Sequence, residues 1–133
     1  SRMGDIPVRE FPSVEQAEAA VEAKADPTGT DAVQERHMLS LARRWEGRRA
    51  LQAEIWSMSL GEQWGLVGVP GEVLSEFELQ IRQQTPFANT CVVELSMDAA
   101  ICEGGYETGW TPFAEGTEAA LIAGAVEGLQ AVR

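Results

Sequence analysis

A chain of 133 residues is long enough to bury one hydrophobic core without disulfides or a metal as staples. Its net charge of −11, from 21 acidic against 10 basic residues, repels a phosphate backbone outside a local patch, so nucleic-acid binding is not expected. Apolar residues make up 44%, and none of their runs nears the roughly eighteen residues that a membrane-spanning helix requires, so no transmembrane segment is expected.

In chain order, "IPVREFPS" (6–13) reads as a short extended segment, because Pro7 and Pro12 keep it out of a helix interior or a central strand. Ser13 with Gln16 three residues on is a capping-box pattern, and Val14, Ala17, Val21 and Ala25 recur at helical spacing, which predicts a first helix over 14–25. "ADPTGTD" breaks it. Asp31 with Gln34 repeats the capping signature, and Met38, Leu41, Ala42 and Trp45 mark one face of a second helix ending near Gly47. The two helices form a hairpin. Arg43, Arg44, Arg48 and Arg49 are the one dense basic cluster, and they fit the C-terminal turn and exit of that helix, where cations suit the dipole.

The period then changes. Leu51, Ala53 and Ile55 alternate with Gln52 and Glu54, as in a half-buried strand, Gly61 supplies a turn, and "WGLVGV" reads as a second strand buried on both faces. After "PGE" comes a third helix carrying Val73, Leu74, Phe77 and Ile81. "TCVVEL" (90–95) is another buried strand, with Cys91 a small buried residue at its start. Thr117 is a candidate cap for a last helix, in which Ile122, Ala125, Val126, Leu129 and Val132 face a core. The order βααββαβα predicts an α/β or α+β fold, a mixed sheet with packed helices, formed by a single domain or part of one. The stretch from Ser96 to Gly116 has no sustained period, and a loop of that length is commonly functional.

Little of the common catalytic chemistry fits. His37 is the only histidine and lies mid-helix, and no Gly-x-Ser-x-Gly elbow supplies a nucleophile. Cys91 and Cys102 match neither a disulfide framework nor a zinc-ligand spacing. The glycines of "GLVGVPG" lack the spacing of a phosphate cradle. Nothing in "SRMGDIPVREF" has the apolar core of a signal peptide, and the compartment stays open. Glu72 stands apart: Pro70-Gly71 would turn the chain so that this carboxylate opens the third helix, beyond the end of a strand, where α/β sheets collect ligands. A first-turn glutamate favoured by the helix dipole explains the same placement.

"GLVGVPGEVLSEFELQIRQQTPF", followed by "TCVVEL" and "EGGYE", resembles the C-terminal part of the catalytic region of the neutral (non-lysosomal) ceramidase-like family. The likeness runs from about residue 6 to the end, and "VGVPGE" is its most specific element. It implies a zinc amidohydrolase that cleaves the N-acyl amide of ceramide into sphingosine and a fatty acid. The family's zinc is held by two histidines, a glutamate and a tyrosine, and activates the attacking water. Its Pro-Gly-Glu glutamate maps onto Glu72. The histidine ligands belong to an earlier catalytic portion that this sequence does not include, and His37 matches neither. The tyrosine ligand belongs to a segment that is here only "SMDAAIC", and Tyr106 belongs to the later motif.

The expectation is therefore a C-terminal fragment or divergent relative, inactive alone. Its Glu72 would complete a zinc site shared with the missing N-terminal portion, and its lipid substrate would be met only in a complete protein. The alternative is an acidic, non-catalytic interaction module on the same scaffold. Trp110, Phe113 and Tyr106 would then form a contact patch, and self-association would cover a sheet edge or face.

Overall fold

The computed structural model describes residues 1–94 and 113–133. Its elements are β1 (Arg2–Pro7), α1 (Val14–Glu22), α2 (Thr30–Trp45), β2 (Ala50–Leu60), β3 (Trp64–Gly68), α3 (Ser75–Gln84), β4 (Asn89–Val93) and α4 (Thr117–Ala131). The order is βααββαβα, and the strands form one mixed four-stranded sheet, as the periodicities predict. No helix among the described residues is long and apolar enough to cross a membrane. The chain divides into two compact units, residues 8–49 and residues 1–7 with 50–133.

In the helical unit, α1 packs against α2, with Ala17, Ala32, Ala42 and Trp45 buried. The capping box is formed in full: the Ser13 backbone N–H donates to Gln16 Oε1 at 3.0 Å, and the Gln16 N–H donates to Ser13 Oγ at 3.2 Å. Such a cap contributes about 1 kcal/mol. The helix ends at Glu22, short of the predicted Ala25, with Ala23 as its C-cap. The second capping prediction is corrected, because α2 starts two residues early, at Thr30, with Gly29 rather than Asp31 as N-cap and no side-chain cap. Asp31 is thereby drawn into the first turn. Arg43 and Arg44 sit in the last turn, where the dipole favours them, Arg48 and Arg49 follow the helix, and all four have local partners: Arg43 pairs with Glu18 at 2.6 Å, Arg49 pairs with Glu10, and Arg44 and Arg48 lie over the Trp45 ring.

Asp26 organises the turn before α2. Its Oδ1 accepts the Thr28 hydroxyl at 2.7 Å and the Thr28 N–H at 2.8 Å, and these two bonds, hydroxyl first, hold its carboxyl below the ordinary value of 3.8. A depressed folded-state value adds stability above the unfolded-state value and loses it as pH falls through the folded one, so this turn loosens only in acid. Thr28→Ala is expected to move the Asp26 midpoint up towards 3.8 in an NMR titration. A midpoint that does not move would show that the hydroxyl does not hold the charge.

In the sheet unit the strand order is β1-β2-β3-β4. β2 pairs antiparallel with β1 through its first half and with β3 through its second, and β3 pairs parallel with β4. The parallel pair requires a crossover, which α3 supplies. β1 is not a central strand, as predicted, although it lies earlier than the sequence suggests: it ends at Pro7, and Pro12 lies outside it.

One sheet face holds the core. Helix α4 packs against β1, β2 and β3, and α3 packs against α4 and β4. Since α4 has neighbours on more than one side it is apolar nearly all round, burying Leu121, Ile122, Ala125, Val126 and Leu129. It approaches β2 through two glycines: a Cβ at Gly124 would stand 2.5 Å from Ile55 Cδ1, and one at Gly128 would meet Ser57 Oγ. Thr117 is not the cap. Gly116 takes that place at φ +96°, and Thr117 is buried one residue in, its hydroxyl donating to the Ala114 carbonyl at 2.7 Å.

Candidate functional site

The Glu72 corner lies at the carboxyl ends of the two parallel strands. β3 stops at Gly68, the Val69 N–H still donates to the Val93 carbonyl at 2.9 Å, and Val69, Pro70 and Gly71 are buried. Gly71 adopts φ +82°, a left-handed conformation in which a side chain is disfavoured, and this turns the chain outward. Glu72 is then exposed. It does not open the helix, which corrects the expectation: α3 begins three residues later, at Ser75, with Leu74 as N-cap and Glu76 and Glu78 in the first turn. The helix dipole therefore does not account for Glu72, since its influence fades within the first turn.

A second carboxylate, missed by the sequence reading, comes from the neighbouring strand. Glu94 follows the end of β4, and its Oε2 accepts the Val73 N–H at 3.2 Å, tying the corner to that strand. The signal was present in "VVEL", but the predicted strand ran through Glu94 instead of ending before it. Val73, Leu74, Ser75, Glu78, Val92 and Glu94 line a shallow cleft of about 190 Å³. Its acidic rim suits a cation or a hydrogen-bond donor better than an anion. Among the described residues, no three His, Cys, Asp or Glu side chains converge in a way that could hold a metal. The corner alone thus falls short of the three or so protein ligands of a catalytic zinc. His37 lies half-buried in α2, in the helical unit.

The aromatic patch is revised. Phe113 is buried, not exposed, while Tyr106 and Trp110 lie outside the described residues, as does most of the Ser96 to Gly116 stretch. Cys91 is exposed, also against expectation. Among the described residues β4 lies at the edge of the sheet with α3 and α4 on one side only, so its residues alternate: Thr90 faces inward, Cys91 outward. For the same reason β3 is not buried on both faces, and Trp64 is half exposed.

Those outward residues form a surface of their own. The pairings Trp56 with Gly68, Met58 with Leu66 and Leu60 with Trp64 place these side chains on one face, and Leu66 with Cys91 and Gly68 with Val93 extend it to β4. Trp56 lies across Gly68, whose hydrogen leaves room for the indole. Met58 is 44% exposed, Leu60 56%, Trp64 50% and Val93 37%, and Met3, on the same face of β1, is 57% exposed. No family model, curated protein or solved structure matches this chain.

Proposed function

We propose that this chain is a non-catalytic binding module whose working surface is the sheet face opposite α4. The observation that carries this reading is a switch of side within β2. In its first half the odd positions Leu51, Ala53 and Ile55 are apolar and the even ones, Gln52 and Glu54, are polar. In its second half the pattern inverts: Ser57 and Ser59 point to the core side, and Trp56, Met58 and Leu60 point away from it. A solvated sheet face is ordinarily polar, so large apolar residues placed there mark a contact surface. Carbene footprinting of the dilute chain tests this. Met58, Leu60 and Trp64 are expected to label heavily, and their protection in a dilute monomer would refute the reading.

A second reading is favoured by the exposed Glu72 beside a strand-end carboxylate. In it the chain is the C-terminal part of a ceramidase-like zinc amidohydrolase, and Glu72 is one ligand of a site completed by a missing N-terminal portion, which would also meet the lipid substrate. This reading predicts that the isolated chain binds zinc no better than Glu72→Ala, measured by calorimetry. Tight, stoichiometric zinc binding that the substitution abolishes would mean a self-contained site instead.

A further inference from the structure

Resting on the binding-module reading, we infer that the occupant of the open sheet face is a second copy of this chain, packed sheet on sheet about a two-fold axis. The first ground is area. Met58, Leu60, Trp64 and Val93, together with the partly exposed residues beside them, leave on the order of 500 Å² uncovered, which is one partner's share of the roughly 1,000 Å² that a specific interface exceeds. Those neighbours include the half-buried Trp56 and Leu66 and the exposed Cys91.

The second ground is charge. The β2–β3–β4 part of this face, from Trp56 to Val93, carries no ionisable group other than the Cys91 thiol, on a chain whose net charge is −11. A basic partner would find nothing there to pair with, whereas an apolar copy of the same patch would. The acidic residues of the face, Asp5 and Glu54, lie at the β1 end, beyond Trp56. A two-fold axis in the interface plane and across the strands runs the two sheets antiparallel, so the acidic ends of the copies lie at opposite rims and do not face each other.

The third ground is relief. At one end Trp56 is seated over Gly68 next to Val93, and at the other Leu60 and Trp64 stand out beside the Gly61 turn. The same axis lays the raised end of each copy over the flatter end of its partner, which is the interdigitation that face-to-face sheets need.

Because both copies are strongly acidic, their association is opposed at long range and salt relieves the repulsion. Dimerisation is therefore expected to tighten several-fold between 50 mM and 500 mM NaCl, whereas binding to a basic partner would weaken. Sedimentation equilibrium across a concentration series, paired with carbene footprinting of the same samples, decides the matter. The expected result is a mass that doubles as concentration rises, with labelling of Met58, Leu60 and Trp64 falling in step. Leu60→Asp is expected to stay monomeric with an unchanged circular dichroism spectrum, and Leu79→Asp, an exposed site on α3, to dimerise like the parent. A parent that stays monomeric with this face labelled at every concentration overturns the dimer and leaves the open-face reading standing. A monomer with the face protected even when dilute overturns both.

Discussion

Phe77→Ala is expected to lower the free energy of unfolding by about 3–5 kcal/mol, the usual cost of removing a buried aromatic ring. Phe77 and Ile81 are the two buried residues of α3, one turn apart, and this ten-residue helix has little else to hold it. It has no side-chain N-cap, and its one internal ion pair, Glu78 with Arg82 at 2.5 Å, lies largely in water and contributes about 0.3–0.5 kcal/mol. Helices of this length are marginal alone, so its stability comes from packing against α4 and β4. The prediction reaches the candidate site as well, because Leu74, Ser75 and Glu78 line the cleft beside Glu94. Urea unfolding followed by circular dichroism measures the loss. A loss below about 1 kcal/mol would mean that α3 is not seated through this ring.

How much of this was legible depended on whether the signal was local. The capping box of Ser13 and Gln16, the turn at Gly61 and the helical period of Phe77 and Ile81 are settled within a few residues, and the eight elements follow in the predicted order. Strand burial is not a local property. "TCVVEL" reads as a buried strand because its residues are apolar, yet among the described residues β4 lies at the sheet edge and is covered on one side, and Cys91 is exposed. Similarly, Leu51, Ala53 and Ile55 disclose the core side of β2, whereas the inversion at Trp56 takes meaning only once α4 is known to approach Ser57 through Gly128. Small polar residues lie where a helix backbone comes close, and the bulk has moved to the other face. Glu72 was identifiable at its corner from Pro70-Gly71, but its neighbour Glu94 is supplied by a strand that pairs across a crossover.

The two glycines of β3 give the sharpest test of the division between a packed face and an open one. Alanine normally stabilises a strand relative to glycine by about 0.5–1 kcal/mol, so the sign of each substitution depends on what the new methyl meets. At Gly65 it would stand 2.5 Å from Phe87 Cδ2 and 2.9 Å from Leu129 Cδ2, both in buried side chains that have nowhere to go. Gly65→Ala is therefore expected to cost about 1–3 kcal/mol, as overpacking does. At Gly68 the methyl would strike the Trp56 indole on the opposite face, where the ring can swing into solvent. Gly68→Ala is accordingly expected to cost less, about 1 kcal/mol, and to shift tryptophan emission to the red, whereas Gly65→Ala leaves emission unchanged. Urea midpoints and emission spectra of the two variants as dilute monomers supply the comparison. Equal losses with no shift at Gly68 would mean that Trp56 is held as firmly as the core, and that the face it occupies is covered.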